Sequence, residues 1–223
     1  MNIAIELKNV CKKFKNREIY KNVSLEIKEG ECVGFIGGNG TGKSVLFQLM
    51  TGLLPVDAGE VTVSGIKLGS NRDFPEDVGI LINSPGFIDY YSGYKNLQML
   101  AQIQGKIHDA EIKSAMLLVG LDPDDKTKVK KYSMGMKQKL GIAQAIMEHQ
   151  KIIILDEPYN ALDFNTNKEI TRVLMELKKQ GKTILLTSHQ QEYLDKLCDK
   201  MYCIEENSLV VFDEEKKREY FTV

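Results

Sequence analysis

The sequence predicts an α/β fold: a mainly parallel sheet as core, with an antiparallel β subdomain at the start and a helical subdomain in the middle. Three observations predict it. An apolar segment at residues 31–36 runs into a glycine-rich loop and then into a segment of helical length. From residue 133 onward helical and strand-like segments alternate. The strands of that alternation, such as Ile152, Ile153, Ile154 and Leu155, are continuous apolar runs, as expected of a sheet covered on both faces.

The elements follow in order. Ile3, Ile5 and Leu7, then Val23, Leu25 and Ile27, alternate with polar residues at the period of two that marks half-buried strands. ECVGFI at 31–36 is apolar enough to be a central strand. SVLFQLMTGLL has helical length and meets stop signals at Gly52 and Pro55. Short β runs follow at 60–63 and 78–82. Over 93–120, Leu97, Leu100 and Ala101, then Ile112, Ala115, Met116 and Val119, recur at helical spacing. A helix then runs from Ser133 to Met147, followed by strand KIIIL, a helix over about 166–179, strand KTILLT, a helix over about 191–197 and strand MYCI. DEEKKREY near the end reads as a solvated helix, and the lysine cluster at 126–131 as a solvated loop. The expected organisation is one domain over 1–223, in which about 1–82 and 150–223 form a catalytic core with the β subdomain and about 84–149 form the helical subdomain.

Composition limits the function. The chain has 223 residues and is 43% hydrophobic, enough for a substantial core. Lys plus Arg number 30 against 31 Asp plus Glu, so no net field holds a polyanion, and nucleic acid is not an expected partner. Cys11, Cys32, Cys198 and Cys203 lack metal-site spacing; Cys198 and Cys203 stand in apolar surroundings that suit buried thiols, and a reduced cytosolic compartment fits. The start, MNIAIELKNV, has no signal-peptide pattern, and no apolar run approaches the ~18 residues of a membrane span. A membrane role is therefore expected to come through a partner.

Gly37, Gly38, Asn39, Gly40, Thr41, Gly42, Lys43 and Ser44 match GxxxxGK[ST] between a strand and a helix, the context in which that pattern binds a nucleoside triphosphate. Glycines let backbone N–H groups turn toward phosphate oxygens, and the helix adds the positive end of its dipole. Lys43 is expected to reach the β and γ phosphates, and the Ser44 hydroxyl to ligate Mg²⁺.

Asp156 and Glu157 follow the apolar strand at 152–155, at the strand end that faces a ligand in a parallel sheet. Asp156 suits the Mg²⁺ shell. Glu157 suits the orientation and deprotonation of an attacking water.

Tyr132, Ser133, Met134, Gly135 and Met136, lying between these motifs, resemble the LSGGQ signature of the ABC ATPase family in a YSxGM variant. The resemblance covers nearly the whole chain: Asn160, Ala161, Leu162 and Asp163 look like the D-loop, His189 like the switch histidine, and Phe14 stands where an aromatic residue stacks on adenine. It implies a P-loop NTPase of ABC type that binds and hydrolyses ATP with Mg²⁺. It further implies a head-to-tail dimer of motor subunits, homodimer or heterodimer, in which Ser133, Gly135 and Met136 of one subunit close over ATP held by the other. Asn83 replaces the glutamine common in the family, or the glutamate of one exporter-like branch, as a Mg²⁺ contact. Being shorter by a methylene, it fits contact through a bridging water. Met134 and Met136 replace the commoner glycine and glutamine of the signature. YSMGMKQKLGIA and LINSPGF are most similar to the bacitracin and lantibiotic exporter branch.

The implied function is the motor of an ABC transporter driving a separate integral membrane permease. Such a subunit sits in the cytoplasm, peripheral to the inner face of the membrane, and exports a peptide antibiotic, drug or lipid-like substrate. Phe87, Tyr90, Tyr91 and Tyr94 either meet that permease or pack the helical subdomain. The alternative is a soluble ABC-type ATPase acting in DNA maintenance or on the ribosome. A single set of motifs with no heptad arm argues for transport.

Overall fold

A computed structural model describes residues 2–69, 74–83, 86–160 and 162–221. Two twelve-residue strands, β1 (Ile3–Phe14) and β2 (Arg17–Lys28), pair antiparallel. β1 also pairs with β4 (Ala58–Val63), and the two-residue β5 (Ile66–Lys67) completes a sheet of order β2-β1-β4-β5. Ile5 and Leu7 of β1 and Val23, Leu25 and Ile27 of β2 are buried as their alternation requires, whereas Ile3 is exposed. β1 runs past the legible alternation because it bulges between Leu7 and Val10 and then buries Lys12, whose ammonium is held by Asp57 at 2.9 Å and the Pro55 carbonyl at 2.7 Å. A lysine at an inward position hides a strand from a hydrophobic pattern.

The second sheet has six strands in the order β10-β9-β3-β8-β7-β6. These are β3 (Cys32–Ile36), β6 (Val78–Leu81), β7 (Ile152–Leu155), β8 (Thr183–Thr187), β9 (Lys200–Glu205) and β10 (Ser208–Val211). All pairings are parallel except the β9–β10 hairpin, which turns through Glu206 and Asn207 at φ 44° and 64°. That left-handed pair makes the turn without the glycine that usually signals one, so β10 is not legible in advance.

The parallel sheet is the middle layer. Ile152 and Ile154 of β7 face one core, with Val33, Phe35 and Leu185, and meet α1 (Lys43–Met50) and the antiparallel sheet. Ile153 and Leu155 face the other, with Ile184, Leu186 and residues of α2 (Gly93–Gln104), α3 (Asp109–Leu118), α4 (Met134–Ile146), α5 (Phe164–Lys179) and α6 (Gln191–Leu197). Burial of each such side chain contributes about 1.5–3 kcal/mol, so residues directed to both faces lock the strand from two sides. α7 (Glu214–Phe221) follows β10.

Gly79 sets how closely α4 approaches the sheet. A Cβ there would lie 1.7 Å from the Ala145 carbonyl oxygen, so helix backbone rests directly on strand backbone. The 126–131 segment is not a plain loop: Val129–Lys131 forms a 3-10 turn with Val129 buried, tied to the preceding aromatic segment by Val129 N–H to the Tyr91 carbonyl at 2.9 Å. In that segment Phe87 and Tyr94 pack on the core, while Tyr90 is 68% exposed and Tyr91 is also exposed. Cys32 and Cys203 are buried, Cys198 is half-buried, and all four cysteines are free. Among the described residues no helix is long and apolar enough to cross a membrane.

Candidate active site

Register places three loops together. Phe35 of β3 pairs with Thr187 of β8, and Leu155 of β7 with Leu186. The carboxyl ends of these neighbouring strands therefore deliver the glycine loop, the Asp156–Glu157 pair and the Ser188–His189 turn to one edge of the sheet, where open parallel sheets bind ligands.

The glycine loop ends at Gly42, whose φ of 115° caps α1; a Cβ there would also meet Ile19 Cγ2 at 2.7 Å. α1 has neither a capping side chain nor an acid in its first turn. Its leading N–H groups and positive dipole end are left for an anion. Lys43, 7% exposed, donates to the carbonyls of Gly37 at 2.8 Å and Gly38 at 3.1 Å, and the Thr41 hydroxyl donates to the Gly38 carbonyl at 3.0 Å. The β1–β2 hairpin braces the loop: Arg17 donates to the Gly40 carbonyl and the Tyr20 hydroxyl to the Gly42 carbonyl, each at 2.9 Å. Burial pushes the Tyr20 phenol far above its ordinary pKa, so it stays a donor.

The Ser44 hydroxyl donates to Asp156 Oδ2 in a short hydrogen bond. Asp156 Oδ1 accepts from the Thr187 hydroxyl at 2.8 Å, and that hydroxyl accepts from the Glu157 N–H at 2.7 Å. Thr187 thus orients both acids. Glu157 has a left-handed backbone, φ 50°, a strained conformation for a residue with a side chain. Its Oε2 accepts from the His189 N–H at 3.3 Å. Its buried Oε1 lies 3.0 Å from His189 Nε2 and 3.5 Å from Lys43 Nζ, yet makes no hydrogen bond. A buried carboxylate oxygen held in place by neighbouring groups yet free of hydrogen bonds is suited to take a proton from a third group.

Of the other expected site residues, Phe14, Asn83 and Asn160 flank this cluster, whereas Ser133, Gly135, Met136 and Asp163 stand at the starts of α4 and α5. Phe14, at the end of β1, is 43% exposed rather than core-facing, with Lys12 Nζ 5.5 Å from its ring centroid. Asn83 is exposed, with φ 61°, two residues beyond Leu81, whose carbonyl accepts from the Asp156 N–H at 2.7 Å. Ser84 and Pro85, like Ala161 of the D-loop, lie outside the described residues. Ser133 caps α4, accepting from the Met136 N–H at 3.2 Å. Asp163 caps α5, and the Thr166 hydroxyl, with the Thr166 N–H, holds its carboxyl below the usual range. Asn160 N–H bonds the Glu157 carbonyl at 3.1 Å. The starts of α4 and α5 abut: a Cβ on Gly135 would lie 3.1 Å from Thr166 Cγ2, and Lys139 pairs with Glu169. Ser133 and Gly135 make these contacts with their own helix and with α5, not with the glycine loop of the same chain.

Sequence reasoning missed Arg17, Tyr20 and Thr187. Thr187 had a signal, a hydroxyl at the end of an apolar strand just before Ser188 and His189. Arg17 and Tyr20 had none, since they meet the loop across 23 and 22 residues of chain.

Comparison with known proteins agrees with this geometry. The ABC transporter family model matches residues 20–160. An uncharacterised ABC transporter ATP-binding protein of Bacillus subtilis, YybJ, is 37% identical over 195 residues, covering 87% of this chain and 89% of YybJ. The bacitracin transport ATP-binding protein BcrA of Enterococcus faecalis is 34% identical over 212 residues, covering 94% of this chain and 69% of BcrA. A dimeric structure of MJ0796, a bacterial ABC transporter cassette, superposes with a TM-score of 0.81 at 25% identity, covering 92% of this chain and 96% of that one. A triphosphate-type loop facing two acids at the sheet edge, in a chain whose family match spans most of its length, has one reading: this chain belongs to the ATP-binding subunits of ABC transporters and hydrolyses ATP.

Proposed function

We propose that Glu157 is the general base of ATP hydrolysis and that His189 and Lys43 flank it. The observation that carries this is the buried Glu157 Oε1, 3.0 Å from His189 Nε2 and 3.5 Å from Lys43 Nζ and bonded to neither. Lys43 and the N–H groups of the loop at Gly37, Gly38, Asn39, Gly40, Thr41 and Gly42 hold the phosphates. His189 steadies the Glu157 carboxylate beside the γ-phosphate, and Phe14, exposed near the braced loop, stacks on adenine.

The Ser44 hydroxyl and Asp156 carboxylate are hard oxygen donors side by side, and among the described residues no group of three or more His, Cys, Asp or Glu gathers. Such a sparse set fits Mg²⁺, which takes most of its ligands from phosphates and water. When bound, Mg²⁺ would neutralise charge between the β and γ phosphates, with Asn83 as a further contact.

Completion of the site requires a second motor subunit, a copy of this chain or a related one. Ser133, Gly135 and Met136 stand at an exposed helix start, and with Asn160 and Asp163 they supply the partner's half-site. The domain division follows: about 84–149 carries the signature, and about 1–82 and 150–223 the nucleotide. The exposed Tyr90 and Tyr91 meet a separate membrane permease, which holds the subunit at the inner face of the membrane. The BcrA likeness supports export of a peptide antibiotic, drug or lipid-like molecule.

Glu157→Gln, an isosteric change that removes the base, tests the reading. The variant should bind Mg-ATP, lose roughly 10²–10⁴-fold in turnover, and elute as a dimer with Mg-ATP. Wild-type turnover, or a monomer at saturating Mg-ATP, would refute it.

A further inference from the structure

The buried stripe of α5 reads Asn167, Ile170, Thr171, Val173, Leu174 and Leu177, the i, i+3, i+4 spacing of a core-facing helix with an amide at its head. Asn167 is 2% exposed, and its Oδ1 is buried with no hydrogen-bond partner. An apolar side chain there would pack without leaving an acceptor unpaired, so the amide calls for an explanation other than stability.

Its Nδ2 supplies one. It donates to Gln190 Oε1 at 3.3 Å. Gln190 follows His189 and closes the turn that carries it, its N–H donating to the Ser188 hydroxyl at 2.9 Å. Two facing amides can pair as found or in the reverse sense, Gln190 Nε2–H to Asn167 Oδ1, so the link survives small shifts of the turn. The same end of α5 touches Gly135 through Thr166 and is capped by Asp163.

We propose that Asn167 is a positioning residue for the ATPase reaction: through Gln190 it anchors the turn that keeps the His189 imidazole against Glu157. Asn167 touches no reacting group and acts only through the turn. Because its helix end also bears on Gly135, it ties the half-site the chain keeps to the half-site it lends. The inference rests on the reading of Glu157 and His189 as a catalytic pair.

Asn167→Leu, Gln190→Leu, the double variant and His189→Ala, all as full-length protein, test it by steady-state ATPase kinetics with thermal melts. Asn167→Leu should keep or raise Tm, keep KM for ATP within about twofold, and lower kcat roughly ten- to hundredfold, the scale of a misplaced catalytic group. The double variant should be no worse than the more damaged single one, since both remove one link. Wild-type kcat in Asn167→Leu, or a kcat that falls only in step with Tm, overturns the role. If His189→Ala also turns over normally, the catalytic pair itself is wrong; if His189→Ala is inactive while Asn167→Leu is normal, only the anchor is.

Discussion

Nζ of Lys43 lies 3.5 Å from Oε1 of Glu157 while donating to the carbonyls of Gly37 and Gly38. One ammonium therefore bridges the loop that grips phosphate and the carboxylate that would activate water. On the proposed roles, a triphosphate in the loop would compete with Glu157 for that charge, and occupation of the cradle would be linked to release of the base.

Lys43→Ala removes the bridge at its centre. The affinity for Mg-ATP is expected to fall at least about tenfold, the scale of a lost charge-assisted contact. Titration calorimetry measures this directly, and retained wild-type affinity would mean the phosphates lie elsewhere.

A composite site predicts complementation between two damaged chains. Ser133→Glu places a carboxylate at the start of α4, where the partner's phosphates would sit, yet leaves the chain's own loop intact. Mixed with Lys43→Ala it gives dimers with one sound site, one from each chain. Random pairing should restore about a quarter of wild-type turnover, although each variant alone is nearly inactive. No gain on mixing would place Ser133 outside the site.

Gly79→Ala forces a methyl group toward the Ala145 carbonyl, where 1.7 Å is available. Overpacking of this kind, against backbone with no rotamer to yield, is expected to cost about 3 kcal/mol. At 2–4 °C per kcal/mol for a chain of this size, Tm should fall by roughly 6–12 °C. A differential scanning melt checks it.

Asp199 governs part of the acid limb. Burial raises its pKa, but the hydrogen bond from Lys178 Nζ at 2.6 Å and the one from the Cys32 N–H at 2.9 Å outweigh burial and hold it below the usual range. A carboxyl with a lowered folded-state pKa stabilises above the unfolded value, near 3.9, and loses that contribution as pH drops through the folded value. Asp199→Asn should therefore be less stable than wild type at neutral pH, with the gap in Tm closing below about pH 4. A constant gap across that range would assign the loss to packing.

How much of this was legible follows from range. Residues 37–44 and the pair Asp156–Glu157 were readable because each motif is contiguous and its strand, turn and helix context is local. The helix at 191–197 was placed to the residue, since an apolar strand and a polar turn frame it. Lys12 concealed the second half of β1, and the Glu206–Asn207 turn concealed β10. The bracing of the loop by Arg17 and Tyr20, and the packing of Gly135 on Thr166, depend on contacts between segments distant in sequence, and neither periodicity nor spacing encodes them. His189 was nameable from resemblance alone; its approach to Glu157 came from the register of β7 on β8.

The strand that ends in the glycine loop sits at the centre of its sheet, Cys32 paired with Ile184 and Val33 with Lys200. Both neighbours of β3 are made long after it, and closing so long a stretch of chain is slow as well as entropically costly. A nascent chain that has emitted the whole glycine loop still has no sheet to hold it in shape. The ability to retain ATP thus waits until β9 (Lys200–Glu205) has been made, and a product cut short before β9 should be unable to engage nucleotide, however complete its motifs.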